Sequence, residues 1–105
     1  MDEVDVEMEY AEAYGARVPK VGLGTWQLTG ETCYETVSTA LELGYRHVDT
    51  AQLYENEAEV GRAIADADVD RDEVFLTTKV TPGNAGYDDV IESTKESLDR
   101  LDTSY

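Results

Sequence analysis

Short runs of β-branched and aromatic residues alternate along this chain with longer stretches in which apolar residues recur at helical spacing. The alternation occurs three times after Val21, and glycine, proline or asparagine separates the segments. Strands and helices of this length in alternation imply parallel strands joined by right-handed crossovers, so the sequence predicts an α/β fold. The predicted strands cover residues 21–25, 45–50 and 74–80, and the predicted helices cover residues 29–44, 56–64 and 87–101.

Helix boundaries are marked by particular residues. Gly44 provides a C-terminal stop for the first helix, and Asn56 is predicted to cap the second. Glu57 lies in the first turn of that second helix, where the helix dipole favours an acid, and we interpret both Asn56 and Glu57 as helix-start residues rather than catalysts. One face of the third helix is expected to be buried through Val90, Ile91, Thr94 and Leu98.

The N-terminal part has a different pattern, in which apolar and acidic residues alternate with the period of a strand. Residues 14–16 are predicted to turn the chain into a second strand at 17–21, with Pro19 tolerated at an edge or strand start. We therefore expect an acidic N-terminal arm or hairpin at residues 1–17 and the main α/β region at residues 18–105. The alternating apolar residues of the first strand are Val4, Val6, Met8 and Tyr10.

Charge is the strongest feature of the composition, since 24 acidic residues face 8 basic ones and the formal net charge is −16. This balance excludes a basic surface that would follow nucleic acid phosphates, so no nucleic acid partner is expected. Self-repulsion among so many carboxylates destabilises a compact state at low salt. We hypothesise a salt-rich cytosol, as for haloarchaeal proteins, with an ordinary acidic protein as the alternative.

Features that would direct the chain to a membrane or out of the cell are missing from the sequence. No run approaches the ~18 consecutive apolar residues of a membrane span. Residues 1–9 are acidic and have no apolar core, unlike a secretory signal. Cys33 is the single cysteine and is interpreted as an inert thiol on a helix. A cytoplasmic protein that does not bind membranes is expected.

Polar residues follow each predicted strand where that strand ends. Thr25 and Trp26 end the first strand, Asp49 ends the second and Lys79 ends the third, while Tyr54 follows Asp49 by five residues. In an α/β barrel the C-terminal ends of the strands face the active site. A doubly wound sheet and a closed eightfold barrel both fit the pattern of elements.

Aspartate, tyrosine and lysine on one rim form a recognisable acid catalyst. A tyrosine with an ordinary pKa of ~10 is a poor acid near neutrality, but a neighbouring ammonium stabilises the phenolate. A carboxylate beside the lysine keeps that ammonium charged and oriented. Such a group can protonate a carbonyl oxygen while a cofactor delivers hydride to the carbon.

Three segments resemble the first three strand and loop motifs of the aldo-keto reductase family, in order and in spacing. They read PKVGLGTWQ at residues 19–27, ALELGYRHVDTAQLYENEAEVGRAI at 40–64 and VFLTTKV at 74–80. The resemblance extends over residues 18–105 and is most specific in GYRHVDTAQLYENE. Within the family the chain is similar to aldehyde and diketogluconate-type reductases.

The resemblance implies the first three βα units of a (β/α)₈ TIM barrel that reduces aldehydes or ketones with NADPH, with NADH left open. It assigns Tyr54 as the proton donor, Lys79 as the residue that makes this tyrosine a stronger acid, and Asp49 as the partner of Lys79. Substrate contacts are implied at Trp26 and Tyr54. Cofactor contacts near the nicotinamide are implied at Gly24, Thr25, Trp26 and Asp49, and no metal is expected.

The chain also departs from the family pattern. The fourth catalytic residue of the family is a histidine at the end of the fourth strand, beyond this sequence. His47 is instead interpreted as a packed or hydrogen-bonded core histidine, and Arg46 as a structural ion-pair residue. Gly22 and Gly24 lack the third glycine of a Rossmann fingerprint. A barrel takes ~250 residues, so we expect the N-terminal portion of an incomplete barrel that folds poorly and is inactive alone.

Two alternatives to the reductase stay open. The family fold also serves as a non-catalytic subunit that binds nucleotide and contacts a partner protein. An inactive truncated product is the other alternative. For the full-length protein the expected state is a monomer acting on a small-molecule carbonyl compound.

Overall fold

An antiparallel hairpin begins the computed structural model, which describes residues 8–105. Strand β1 covers Tyr10–Ala13 and strand β2 covers Ala16–Pro19, with Tyr10 opposite Pro19. Tyr14 (φ 50°) and Gly15 (φ 82°) form the turn in the left-handed region, the geometry of a tight hairpin. The hairpin is thus present, although its first strand begins at Tyr10, and the predicted strand residues Val4 and Val6 lie outside the described residues.

A parallel sheet of three strands follows, in the order β3, β4, β5. The strands are Leu23–Gly24, His47–Asp49 and Phe75–Thr77. The three strands are shorter than predicted, because beyond their ends the pairing continues only as isolated backbone hydrogen bonds. The N–H of Thr50 donates to the carbonyl of Thr77 at 2.8 Å, and the N–H of Gln52 donates to the carbonyl of Lys79 at 3.0 Å.

One helix follows each parallel strand, as the sequence predicts. Helix α1 covers Gly30–Glu42, α2 covers Glu57–Asp66 and α3 covers Tyr87–Leu101. Helices α1 and α2 pack on the sheet through one apolar cluster, which includes Cys33, Val37, Leu41, Val48, Val60 and Ile64. Within residues 8–105 no helix is both long and apolar enough to cross a bilayer.

The buried face of α3 differs from the prediction. Ile91 and Thr94 are exposed, while Ser93, Ser97 and Leu101 are buried. The reason is the close approach of α2, where a Cβ on Gly61 would lie 2.3 Å from the carbonyl oxygen of Leu101. Backbones this close leave room only for small side chains along the contact line.

Candidate active site

The C-terminal ends of the three parallel strands form one rim. The register places Gly24 beside Asp49 and Asp49 beside Thr77, two residues before Lys79. Because all three strands run in the same direction, the residues that follow them emerge on the same side of the sheet. This rim carries every residue that the sequence suggests for the site.

An ion pair joins two of these residues. The Nζ of Lys79 lies 2.6 Å from Oδ2 of Asp49, and both side chains are partly exposed. The hydrogen bond to Asp49 raises the pKa of Lys79 above its ordinary value, against the opposing effect of desolvation. Lys79 is therefore a full positive charge held at a fixed point of the rim at neutral pH.

Tyr54 lies next to that charge. It ends a short 3₁₀ turn, Gln52–Tyr54, and the Nζ of Lys79 is 5.4 Å from the centroid of its ring. The N–H of Gln52 donates to the carbonyl of Lys79, which fixes the turn to the end of β5. The structure thus brings Asp49, Tyr54 and Lys79 together.

The loop after β3 carries the residues suggested for cofactor and substrate. Gly24 faces open space, and Trp26 is 68% exposed. Thr25 is buried, and both its N–H and its hydroxyl donate to the carbonyl of Asp49 at 3.0 Å. The Thr25 side chain therefore links two strand ends, and a contact between this residue and a cofactor stays a prediction.

Arg46, directly before strand β4, and His47, at its start, make structural contacts. His47 is half-buried, its Nε2 lies 3.0 Å from the hydroxyl of Thr77, and its ring stacks edge-on against Phe75 at 5.1 Å. This agrees with a hydrogen-bonded structural histidine. The guanidinium of Arg46 donates to the carbonyl of Leu41 in the last turn of α1 and to that of Tyr45, so it binds backbone oxygens rather than the carboxylate that we expected.

Asn56 and Glu57 form polar links that the hydrophobic pattern does not indicate. Asn56 occupies the N-cap position of α2, but its side chain caps no backbone N–H and contacts the loop after β3 instead. The buried carboxylate of Glu57 accepts hydrogen bonds from the hydroxyl of Thr78 at 2.7 Å and from Nε of Arg100 at 2.8 Å. The interpretation of Asn56 and Glu57 as helix-start residues missed these links, because a cap residue and a first-turn acid normally interact with their own helix.

Among residues 8–105 no group of three or more histidine, cysteine or acidic side chains is arranged to hold a metal ion. The rim instead offers a carboxylate, an ammonium, a phenol and an exposed indole. These groups suit proton transfer beside an organic cofactor.

Comparison with known proteins agrees with this geometry. The sequence model of the aldo/keto reductase family matches residues 20–105. The chain belongs to this family. Methylglyoxal reductase of Salmonella typhi is 52% identical over 88 residues, which are 84% of this chain and 33% of that protein. The chain thus spans about a third of the length of the curated relatives it matches first.

Solved structures of the family show the same arrangement of elements. An aldo/keto reductase from Brucella melitensis matches with a TM-score of 0.91 at 37% identity, over 94% of this chain and 39% of that one. An aldo-keto reductase complexed with NADPH matches with a TM-score of 0.89 at 30% identity, over 96% of this chain and 35% of that one. The family has a TIM-barrel fold, and this chain has the alternating strands and helices of that fold.

Proposed function

We propose that this chain supplies the proton-donating part of an NADPH-dependent reductase that converts aldehydes or ketones to alcohols. The observation that carries the proposal is the placement of Lys79, whose Nζ is bonded to Asp49 and lies beside the ring of Tyr54. Family membership supports carbonyl reduction in general, and this trio gives it a chemical basis.

The proton step is assigned to the Oη of Tyr54. Reduction makes the carbonyl oxygen an alkoxide, which takes a proton from the phenol and leaves a phenolate. The ammonium of Lys79 stabilises that phenolate, and Asp49 keeps the ammonium charged and directed to the rim. One hydrogen bond and one close approach support these roles.

The rim also suits the nicotinamide end of the cofactor. Gly24 leaves open space at the strand end, and Trp26 presents a flat apolar surface beside it. Asp49 adds a carboxylate beside Gly24 in the register of the sheet. NADPH, when bound, supplies the hydride, while these residues orient the ring and the substrate carbonyl.

The proposal concerns the protein in which this chain provides the first third of a barrel. Strands β3 and β5 each pair on one side only among the described residues, and a closed barrel would pair both. The fourth catalytic group, a histidine, would come from the next strand. A monomer in the cytoplasm, acting on a small carbonyl compound, stays a prediction.

The test replaces the proton donor in the barrel-length protein. Tyr54→Phe removes one hydroxyl and is expected to lower kcat roughly 10²- to 10⁴-fold, the usual contribution of a general acid. Turnover is followed by loss of NADPH absorbance with methylglyoxal or a simple aldehyde. The matched control is Tyr87→Phe, since Tyr87 is an exposed tyrosine at the start of α3 and is not a member of the trio.

The outcomes separate the alternatives. Loss of turnover in Tyr54→Phe with full turnover in Tyr87→Phe supports the reductase. NADPH binding without turnover in the unaltered protein would indicate the non-catalytic subunit instead. Equal turnover in both variants would contradict the role of Tyr54.

A further inference from the structure

Asn56 is a fully buried amide whose hydrogen-bonding groups are engaged within the site. Its Oδ1 accepts from the hydroxyl of Thr50 at 2.5 Å, and its Nδ2 donates to the carbonyls of Thr25 and Leu28, each at 2.9 Å. Burying an amide is costly unless its polar atoms are bonded, and here they are bonded to two loops rather than to its own helix.

The two carbonyls bound by Nδ2 enclose a tight turn. The N–H of Leu28 donates to the carbonyl of Thr25 at 3.1 Å, so residues 25–28 form one hydrogen-bonded turn with Trp26 and Gln27 at its centre. Gln27 has a φ of 66°, in the left-handed region that favours glycine. A residue other than glycine persists there only when surrounding contacts hold the turn in place.

Asn56 also couples this turn to the residues around the proton donor. Thr25 donates twice to the carbonyl of Asp49, and Thr50 follows Asp49 directly. Asn56 itself comes two residues after Tyr54. One side chain therefore connects the turn that carries Trp26 with the segment that carries Asp49 and Tyr54.

We propose that Asn56 is a positioning residue that fixes the direction of Trp26 and thereby the wall of the substrate pocket. The role of Trp26 in binding substrate rests on the proposed function, whereas the hold on the turn does not. Trp26 is 68% exposed, so few contacts hold its ring, and the position of the ring depends mainly on the backbone turn that carries it.

The chemistry requires an amide. Asn56 uses its Oδ1 as an acceptor and both N–H groups of Nδ2 as donors. An aspartate of nearly equal shape would keep the acceptor, but its second carboxylate oxygen would face the carbonyl oxygens of Thr25 and Leu28. Asn56→Asp should therefore release the turn without opening a cavity. Thr50→Val is the matched control, because it removes the hydroxyl on Oδ1 and leaves both bonds from Nδ2 in place.

The direct readout is the fluorescence of Trp26, the single tryptophan of this chain. We expect lower anisotropy and faster acrylamide quenching in Asn56→Asp than in wild type or Thr50→Val, with the same helical circular dichroism in all three. Acidification should bring the anisotropy and quenching of Asn56→Asp closer to those of wild type measured at the same pH, because a protonated carboxyl regains one hydrogen-bond donor.

The neutral variant Asn56→Ala covers the case in which Asn56→Asp does not fold, and it should also loosen Trp26. Unchanged fluorescence in a folded Asn56 variant would overturn the proposal. Unfolding of both variants would overturn it as well, since Asn56 would then hold the whole unit rather than one turn.

Kinetics in the barrel-length protein connect the turn to substrate. Asn56→Asp should lower kcat/KM roughly ten- to a hundredfold, the scale of a misplaced binding group, with most of the change in KM. A change confined to kcat would contradict positioning through Trp26. If the wild type shows no turnover, the proposed function fails, while the fluorescence result still decides whether Asn56 holds the turn.

Discussion

Cys33 shows how burial determines the chemistry of a residue. The side chain is completely buried in the apolar cluster between α1, α2 and the sheet. Burial raises the pKa of the thiol from 9.0 to about 11, and the nearby carboxylate of Glu59 adds to the shift. The thiolate is the nucleophile, so a thiol kept neutral and buried is inert.

We expect Cys33 to resist alkylation by iodoacetamide near pH 8 in the folded chain and to react readily in urea, as measured by mass spectrometry. The folded state disfavours the thiolate, so its contribution to stability is complete below pH 9 and is lost as the pH rises through about 11. The free energy of unfolding should fall by about 2–3 kcal/mol more in wild type than in Cys33→Ala over this range. Rapid native labelling would show that the thiol is accessible.

The sequence was sufficient to propose Asp49, Tyr54 and Lys79 as a catalytic trio, but it did not predict the contacts of Asn56. Asp49 and Lys79 are polar residues at the ends of apolar strands, and parallel strands place such residues on one rim. The direction of the Asn56 side chain depends on a turn 28 to 31 residues away along the chain. Hydrophobic periodicity contains no information on contacts of that kind.

At the scale of elements, the contact between α2 and α3 depends on one missing side chain. Gly61 lies inside α2, where alanine would ordinarily stabilise a helix by up to ~1 kcal/mol. A Cβ there would meet the backbone of Leu101 at 2.3 Å, and a backbone atom cannot rotate away. Helix propensity therefore predicts that Gly61→Ala stabilises the fold, whereas packing predicts that the same substitution destabilises it.

We expect packing to decide, so that Gly61→Ala lowers the free energy of unfolding by roughly 1–3 kcal/mol in urea titrations. Ala65→Gly is the control, because Ala65 is exposed on the same helix and should show only the propensity cost of ~1 kcal/mol. A stabilised Gly61→Ala would mean that the two helices lie further apart than the structure shows.

The contact between α2 and α3 also bears on the predicted buried face of α3, which was wrong. Apolar spacing was sufficient to predict α3 over residues 87–101, and the structure has those bounds. The spacing was insufficient to predict its buried face, because Ser93 and Ser97 are buried although they are not hydrophobic, on a helix that approaches α2 closely where Leu101 meets Gly61. A helix face that is selected for small size is not visible in a hydrophobic pattern.

For the whole molecule, alternation of strands and helices predicted the α/β class but left a doubly wound sheet and a barrel equally possible. Helices α1 and α2 each connect one parallel strand to the next, and both architectures begin in that way. The motifs at the strand ends and the family match resolve the choice, because they identify relatives whose fold is a TIM barrel. Local patterns thus determine elements, and closure of a sheet depends on strands far along a chain.

Surface charge leads to a prediction about the whole molecule. Among residues 8–105 every acidic side chain except those of Asp49, Glu57 and Glu59 is exposed. Exposed ion pairs such as Arg62 with Glu31, at 2.6 Å, balance only a few of these carboxylates, since the chain has 8 basic residues against 24 acidic ones. The net interaction among surface charges is therefore repulsive.

We propose a protein adapted to high salt, whose urea midpoint rises steadily as KCl increases to molar concentrations. The Debye length shortens from about 10 Å at 0.1 M to about 3 Å at 1 M, so repulsion between carboxylates is screened. Screening also weakens ion pairs, and a chain stabilised mainly by them would lose stability instead. The double variant Asp68→Asn with Asp70→Asn removes two exposed charges and should raise the midpoint at low salt while flattening its dependence on KCl. A midpoint independent of KCl in the unaltered chain would leave the acidic surface as a means of solubility and not of salt adaptation.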